Sequence, residues 1–135
     1  MNNEEKKQYL CRYQQAKRRA ALLMAQMEEL RSSKTSPAVS WDRMPRGNSV
    51  SDLSGYAARL DGLLRELEAE REMQMIVYRE IYERVKDLSD PTEQEILTRR
   101  YLLGQNWEKI AEEMYYSYRH VTKLHGQALD HFAIA

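Results

Sequence analysis

The sequence predicts an all-α protein in which a long antiparallel helical hairpin precedes a C-terminal trihelical helix-turn-helix module. Three observations support this fold class. Gly and Pro together fill only eight of the 135 positions, so few residues interrupt a helix. Apolar residues recur at alternating spacings of three and four over much of residues 1–87, as in helices packed along a heptad seam. Beyond residue 87, helix start and stop signals follow one another closely.

The first predicted helix covers residues 3–31, a length of about 40 Å at about 1.5 Å per residue. Its apolar side chains fall on one side at heptad spacing. This first seam comprises Tyr9, Tyr13, Ala16, Ala20, Leu23, Met27 and Leu30.

A linker over residues 32–51 follows, because Ser, Pro, Gly and Asn punctuate it and no periodicity survives there. Ser51 or Asp52 is the expected cap of the next helix. The linker is long enough to reverse the chain, so the sequence predicts an antiparallel hairpin as the first domain, residues 1–87.

The second predicted helix covers residues 52–87. Its seam is interrupted at Arg71 and Gln74. The expected members of this second seam are Leu53, Ala57, Leu60, Leu64, Leu67, Tyr78, Ile81, Val85 and Leu88.

The stretch MQMIVYREIY, residues 73–82, is apolar on more than one side of the second helix. A lone hairpin would leave part of that surface in water, at about 25 cal/mol per Å². Either the surface packs within the chain or it meets a second copy or another partner. A homodimer is the expected assembly.

Residues 88–135 form the second predicted domain, with a capping signal before each helix. Asp90 precedes Pro91, which suits the first position of a helix, and Gly104 is placed to end that helix in a left-handed conformation. Asn106 and Ser117 are the expected caps of the next two helices.

The last two helices have the spacing of a helix-turn-helix. Ala111 is small where the helices cross, and Val121 follows ten positions later, where the second helix packs back on the first. Trp107, Ile110 and Met114 complete the inner side of the first helix. The turn position four residues after Ala111 is usually Gly, because the backbone there often needs positive φ. Here it is Tyr115, which would adopt a left-handed conformation at a cost of roughly 1 kcal/mol unless the turn is reshaped.

The outer side of the last helix predicts contact with duplex DNA. No acidic residue occurs from Ser117 to Gln127. Arg, Thr and Lys are side chains that contact base edges in the major groove, and Gly lets a backbone approach closely. The candidate base-reading residues are Arg119, Thr122 and Lys123, with Gly126 at the point of close approach; His120, Gln127, Tyr116 and Ser117 are expected to contact the backbone.

Catalytic and metal chemistry is not expected. The chain has no phosphate-binding loop and no nucleophile with a base and an orienting group. His120 and His125 are five residues apart, so they do not share a helical face as zinc ligands would. The sequence therefore predicts neither an enzyme nor a bound metal or cofactor, and no small-molecule substrate.

The net charge and the cysteine content limit the kind of surface that the protein can present and the compartment in which it is expected. The 21 basic and 21 acidic residues cancel, which excludes a uniformly basic surface, so any surface that binds nucleic acid must be local. Cys11 is the only cysteine, as expected in a reducing cytoplasm, here that of a bacterial host cell. No apolar run approaches the roughly 20 residues of a membrane span.

The segment EILTRRYLLGQNWEKIAEEMYYSYRHVTKLHGQAL resembles region four of bacterial sigma factors, the module that reads the promoter −35 element. The resemblance rests on RYLLG, WEKIAEEM, the Ser-x-Arg-x-Val start of the last helix and the closing QAL. With DRMPRG at residues 42–47, the whole chain is similar to small phage and prophage proteins described as sigma-like late-gene regulators. Tyr115 departs from the Gly common in that family, and no sigma region two is present.

The resemblance implies a sequence-specific DNA-binding regulator of phage transcription, a late-gene activator that also contacts bacterial RNA polymerase. Two alternatives stay open. One is the DNA-recognition subunit of a phage packaging terminase, which would form a ring of eight or more copies. The other is an interaction protein that binds polymerase or another regulator through the acidic residues Glu108, Glu112 and Glu113. The role of the linker segment Trp41–Gly47 is left open.

Overall fold

The computed structural model describes residues 1–35 and 49–134, with side chains for residues 1–32 and 53–134. These residues are helical and include no strand, which confirms the all-α class. The helices are α1 (Asn3–Leu10), α2 (Arg12–Thr35), α3 (Ser49–Lys86), α4 (Pro91–Leu97), α5 (Trp107–Met114) and α6 (Tyr118–His131), with a π-helical turn, Thr98–Leu102, after α4. Of the helices in the described ranges, none is both long and apolar enough to cross a membrane.

Two predicted helix boundaries are wrong. The first helix is divided at Cys11, whose ψ of −11° departs from the helical value of about −42°. The predicted linker is also too long, because α2 continues to Thr35 and α3 begins at Ser49. A polar residue costs at most about 0.7 kcal/mol inside a helix, so an established helix continues into such a segment. Because α3 begins at Ser49, neither Ser51 nor Asp52 caps it as predicted. The Trp41–Gly47 segment lies outside the described residues.

The residues pack into two compact units. The first unit comprises Met1–Ala16 and Met73–Ala135, and the second comprises Lys17–Glu72. Both α2 and α3 contribute residues to both units. The predicted domain boundary at residue 87 falls inside the first unit.

In the second unit, α2 and α3 pack along an apolar cluster. Ala20, Met27 and Leu67 are buried there, and Leu23, Leu60 and Leu63 pack against them. Arg19 and Glu70 form an ion pair with an N–O distance of 3.2 Å beside this cluster. Leu53, Ala57 and Leu64, which the sequence assigned to the seam, are exposed.

In the first unit, the buried side of α3 is formed by Val77, Ile81 and Val85, and Leu88, just beyond the end of the helix, joins the same core. Gln74 is half-buried, and Tyr78, which the sequence assigned to the seam, is exposed. The predicted seam therefore passed through Tyr78, whereas the buried side passes through Val77. Burial on a helix follows angular position, and Val77 continues the spacing from Gln74 to Ile81.

The main core of the first unit joins residues from both ends of the chain. Leu10 of α1 packs with Ile81 of α3, Leu97 of α4 and Phe132 beyond α6. The Lys6 ammonium donates a hydrogen bond of 2.7 Å to the Leu129 carbonyl in the last turn of α6. The Leu129 carbonyl also accepts the Phe132 N–H at 3.2 Å, and the Lys6 ammonium places a positive charge at the C-terminal end of α6, where the helix dipole favours it.

Candidate nucleic-acid interface

Tyr115 ends α5 in the left-handed conformation, with φ 59° and ψ 39°. The Tyr116 N–H donates to the Ala111 carbonyl at 3.0 Å and the Tyr115 N–H to the Glu112 carbonyl at 3.3 Å. These two bonds form the closure that commonly ends a helix before a left-handed residue. The turn therefore has the positive φ that the sequence pattern requires, with tyrosine where glycine is usual.

Ser117 caps α6, as predicted. Its backbone is extended, and its hydroxyl accepts a hydrogen bond of 3.1 Å from the His120 N–H. The Tyr116 and His120 rings meet edge to face with centroids 4.7 Å apart. The first turn of α6 is thus held by its cap and by one aromatic pair, and no acidic side chain lies in it.

The inner side of α6 packs against the rest of the first unit. Val121 joins Ile110 and Ala111 of α5 in a small buried cluster, and Ala128 and Leu129 enter the main core. The close packing of Ala111 with Val121 is the contact that their spacing predicts. It sets which side of α6 faces outward.

His125 belongs to this inner side and is buried. Its Nε2 lies 2.7 Å from the Tyr101 hydroxyl and shares a hydrogen bond with it, while its ring meets Trp107 edge to face at 4.6 Å. Burial lowers the pKa of His125 to about 4, and the positive charges of Lys7 and Arg100 act in the same direction. A neutral His125 therefore links α6, α5 and the π-helical turn.

The eight predicted contact residues lie on the outer side of α6 or at its N-terminal end. Arg119, Lys123 and Gln127 follow one another at single-turn spacing, and all three are exposed. Thr122 and Gly126 are half-buried at the edge of this row. Tyr116, Ser117 and His120 are exposed at the N-terminal end. We call these eight residues the α6 outer face.

Gly126 has no packing role inside the chain. A Cβ atom added at this position meets no other atom within 4 Å. Thr122 is half-buried, and its hydroxyl donates a hydrogen bond of 2.9 Å to the Arg119 carbonyl within the helix. Both residues shape the edge of the α6 outer face without serving the core.

The acidic residues of α5 are held apart from α6 or face solvent. Glu113 is paired with Arg99 of the π-helical turn, and Arg99 also binds Glu95 at 2.7 Å. Glu108 and Glu112 are exposed. The α6 outer face, which contains no acidic residue, therefore lies next to α5, whose exposed side chains include Glu108 and Glu112.

Tyr118 is an exposed residue that the sequence analysis did not assign to the site. It is the first residue of α6, directly after the Ser117 cap, and 50% of its surface is exposed. The signal was its place at the start of the helix, beside Arg119.

Among the described side chains, no group of three or more His, Cys, Asp or Glu residues is arranged to hold a metal ion. Comparisons with protein-family models, with curated proteins and with solved structures find no match to this chain.

Proposed function

We propose that this chain is a sequence-specific DNA-binding regulator of transcription, a late-gene activator of the phage type, that reads duplex DNA with α6. The observation that carries the proposal is the α6 outer face. It combines Arg119, Lys123 and Gln127 in one exposed row. Arg and Lys bind guanine edges and phosphates, and Gln binds adenine.

The geometry of α5, the Tyr115 turn and α6 supports a helix-turn-helix. In such a module the second helix lies in the major groove with its first residues at the base edges. With 14 residues, α6 is about 21 Å long. The Ser117 cap leaves the positive end of the helix dipole beside the row, where a phosphate is favoured.

The rest of the proposed architecture is an antiparallel hairpin formed by α2 and α3. Its support lies in the second unit, where Arg19 near the start of α2 meets Glu70 late in α3. Leu30, which follows Arg19 in α2, and Leu63, which precedes Glu70 in α3, line one groove. Residues later in α2 therefore lie beside residues earlier in α3, as they do in antiparallel helices.

We expect Arg119→Ala to weaken binding to the preferred site by about 1–3 kcal/mol and to relax preference at one base pair, because a bidentate base contact is lost. The site would first be selected from a random duplex pool. Affinity would then be measured by fluorescence anisotropy at one fixed salt concentration, since salt alone changes such affinities strongly.

Arg65→Ala is the matched control, since Arg65 is an exposed arginine of the second unit that pairs with Asp61 four residues earlier. It removes the same charge and should leave the affinity unchanged. Equal affinities of wild type and Arg119→Ala would contradict the role of Arg119, and failure to select any sequence would contradict DNA reading as a whole.

A second candidate function is binding to RNA polymerase or another regulator. The exposed Glu108 and Glu112 of α5 favour it, because they offer negative charge beside a positive face. Retained polymerase binding without a salt-sensitive DNA gel shift would favour this candidate over DNA reading. A ring of eight or more copies would instead favour the packaging subunit.

A further inference from the structure

The first unit has an apolar surface on the side of α3 that its core does not use. Met75 is 71% exposed, and Tyr78 and Tyr82 are 39% and 41% exposed. Together with Tyr13 of α2 they line a groove of about 680 Å³. We call these four residues the aromatic groove.

The aromatic groove has the shape of a seat for a helix. Met75, Tyr78 and Tyr82 are spaced by three and four residues, which is the spacing that packs against a neighbouring helix. The Tyr78 and Tyr82 rings are stacked with centroids 6.1 Å apart, and Tyr13 meets Tyr78 edge to face at 5.1 Å. Because the rings contact one another, the surface is formed before any partner arrives.

The charged residues at the rim of the groove can pair with the oppositely charged residues of a second copy. Arg79 and Glu83 border the groove one helical turn apart and have opposite signs. When a second α3 runs antiparallel about a two-fold axis near Glu80 and Ile81, Arg79 of each copy comes beside Glu83 of the other. The same axis brings Tyr78 beside Tyr82 of the second copy, so every contact occurs twice.

The exposed area is sufficient for a specific dimer. Met75, Tyr78 and Tyr82 together expose about 300 Å² per copy, at about 200 Å² for a large side chain. Since about 60% of an interface is non-polar, this area corresponds to about 500 Å² per copy. The total of about 1,000 Å² reaches the size at which specific association begins.

We propose that the aromatic groove is the surface through which two copies of this chain join, with their α3 helices antiparallel across a two-fold axis. The pairing depends only on α3 and Tyr13. It is therefore separate from DNA reading by α6, and a sedimentation measurement tests it without DNA.

Sedimentation equilibrium of the full chain at 1–100 µM is expected to show a dimer. Tyr78→Glu should shift it to monomer by placing a charge between the stacked rings. Ile76→Glu is the matched control, because Ile76 is 59% exposed on α3 but does not line the groove. A wild-type monomer at 100 µM, or a Tyr78→Glu variant that is folded and still dimeric, would overturn the proposal.

Charge reversal provides a test that does not disturb the rings. Arg79→Glu alone or Glu83→Arg alone should raise the dimer dissociation constant at least several-fold, and the double variant should restore it. If both single variants dimerise as the wild type does, the proposed pairing is wrong.

Cross-linking tests the orientation in a Cys11→Ser background. A mixture of Tyr78→Cys and Tyr82→Cys chains should form a mixed disulfide under mild oxidation, as the antiparallel axis requires. Met75→Cys chains should not cross-link to themselves, because the axis separates the two copies of that position. The reverse result would contradict the antiparallel arrangement.

Discussion

Tyr115 is the residue at which the chain departs furthest from ordinary backbone chemistry. It is the only non-glycine residue with positive φ in the described ranges, and 93% of its surface is exposed. The left-handed conformation costs a side-chain-bearing residue about 1–2 kcal/mol. Because the ring lies in solvent, packing within the chain offsets little of that cost. Tyr115 adopts this conformation because the turn between α5 and α6 requires positive φ at this position.

Tyr115→Gly should therefore stabilise the protein by about 1 kcal/mol, since glycine adopts positive φ without the steric penalty. The free energy of unfolding would be measured by urea denaturation followed by circular dichroism. Tyr116→Gly is the control, because Tyr116 has no positive φ and should only lose stability. A destabilised Tyr115→Gly variant would show that the ring makes a stabilising contact.

At the scale of the element, α6 is a helix with two different sides. One side contributes Val121, His125, Ala128 and Leu129 to the interior. The other contributes the α6 outer face. Gly126 lies at the border, where no internal contact requires the absence of a side chain. A glycine inside a helix destabilises it by about 0.5–1 kcal/mol relative to alanine, so the position is suboptimal for folding.

Gly126→Ala should raise the free energy of unfolding by about 0.5–1 kcal/mol and weaken DNA binding several-fold, because the new methyl group faces the approaching duplex. Gly62→Ala is a matched control on α3, where an added Cβ also meets nothing within 4 Å. It should stabilise similarly and leave DNA affinity unchanged. Unchanged DNA affinity in Gly126→Ala would remove Gly126 from the interface.

The seam of α3 was only partly predictable from the sequence. The helix itself was predicted, because its apolar residues are dense and no proline interrupts it. The side that is buried was predicted only in part, since both the true seam through Val77 and the aromatic groove through Tyr78 have heptad spacing. The stripe through Val77 and the stripe through Tyr78 have the same periodicity, so periodicity alone does not show which one is buried. The element that packs against α3 determines which stripe is buried.

At the scale of the molecule, the first unit is assembled from distant parts of the chain. Residues of α1 contact the last turn of α6 through Lys6, and Gln14 donates hydrogen bonds to the Tyr101 and Leu102 carbonyls at 3.2 and 3.3 Å. The candidate interface is therefore held by residues that lie more than 80 positions away in sequence. Disrupting α1 would disturb α6 without touching its outer face.

Stability of the whole molecule should fall as the solution is acidified below about pH 6.5. The folded-state pKa of His125 is lowered to about 4 by burial, whereas in the unfolded chain it is near 6.5. The unfolded state therefore binds the proton first, and stability is lost as pH falls from about 6.5 to about 4. The expected loss between pH 7.5 and pH 5.0 is about 2 kcal/mol.

Urea unfolding at those two pH values, in wild type and in His125→Gln, would measure this contribution. Glutamine does not titrate, so the variant should lose much less stability on acidification, while carboxylates such as Glu80 act equally in both proteins. Equal pH dependence in the two proteins would mean that folding does not lower the pKa of His125.

The sequence by itself determined most of the helices, three of their caps and the turn between α5 and α6. Asp90, Asn106 and Ser117 each accept the expected capping bond, and Gly104 and Tyr115 have the expected positive φ. These features depend on residues a few positions apart. Only the tertiary structure decided the course of the α3 seam, the burial of His125 against Tyr101 and the contact of α1 with α6. Those contacts join residues far apart in the chain, and local propensity and periodicity contain no information about which distant surfaces meet.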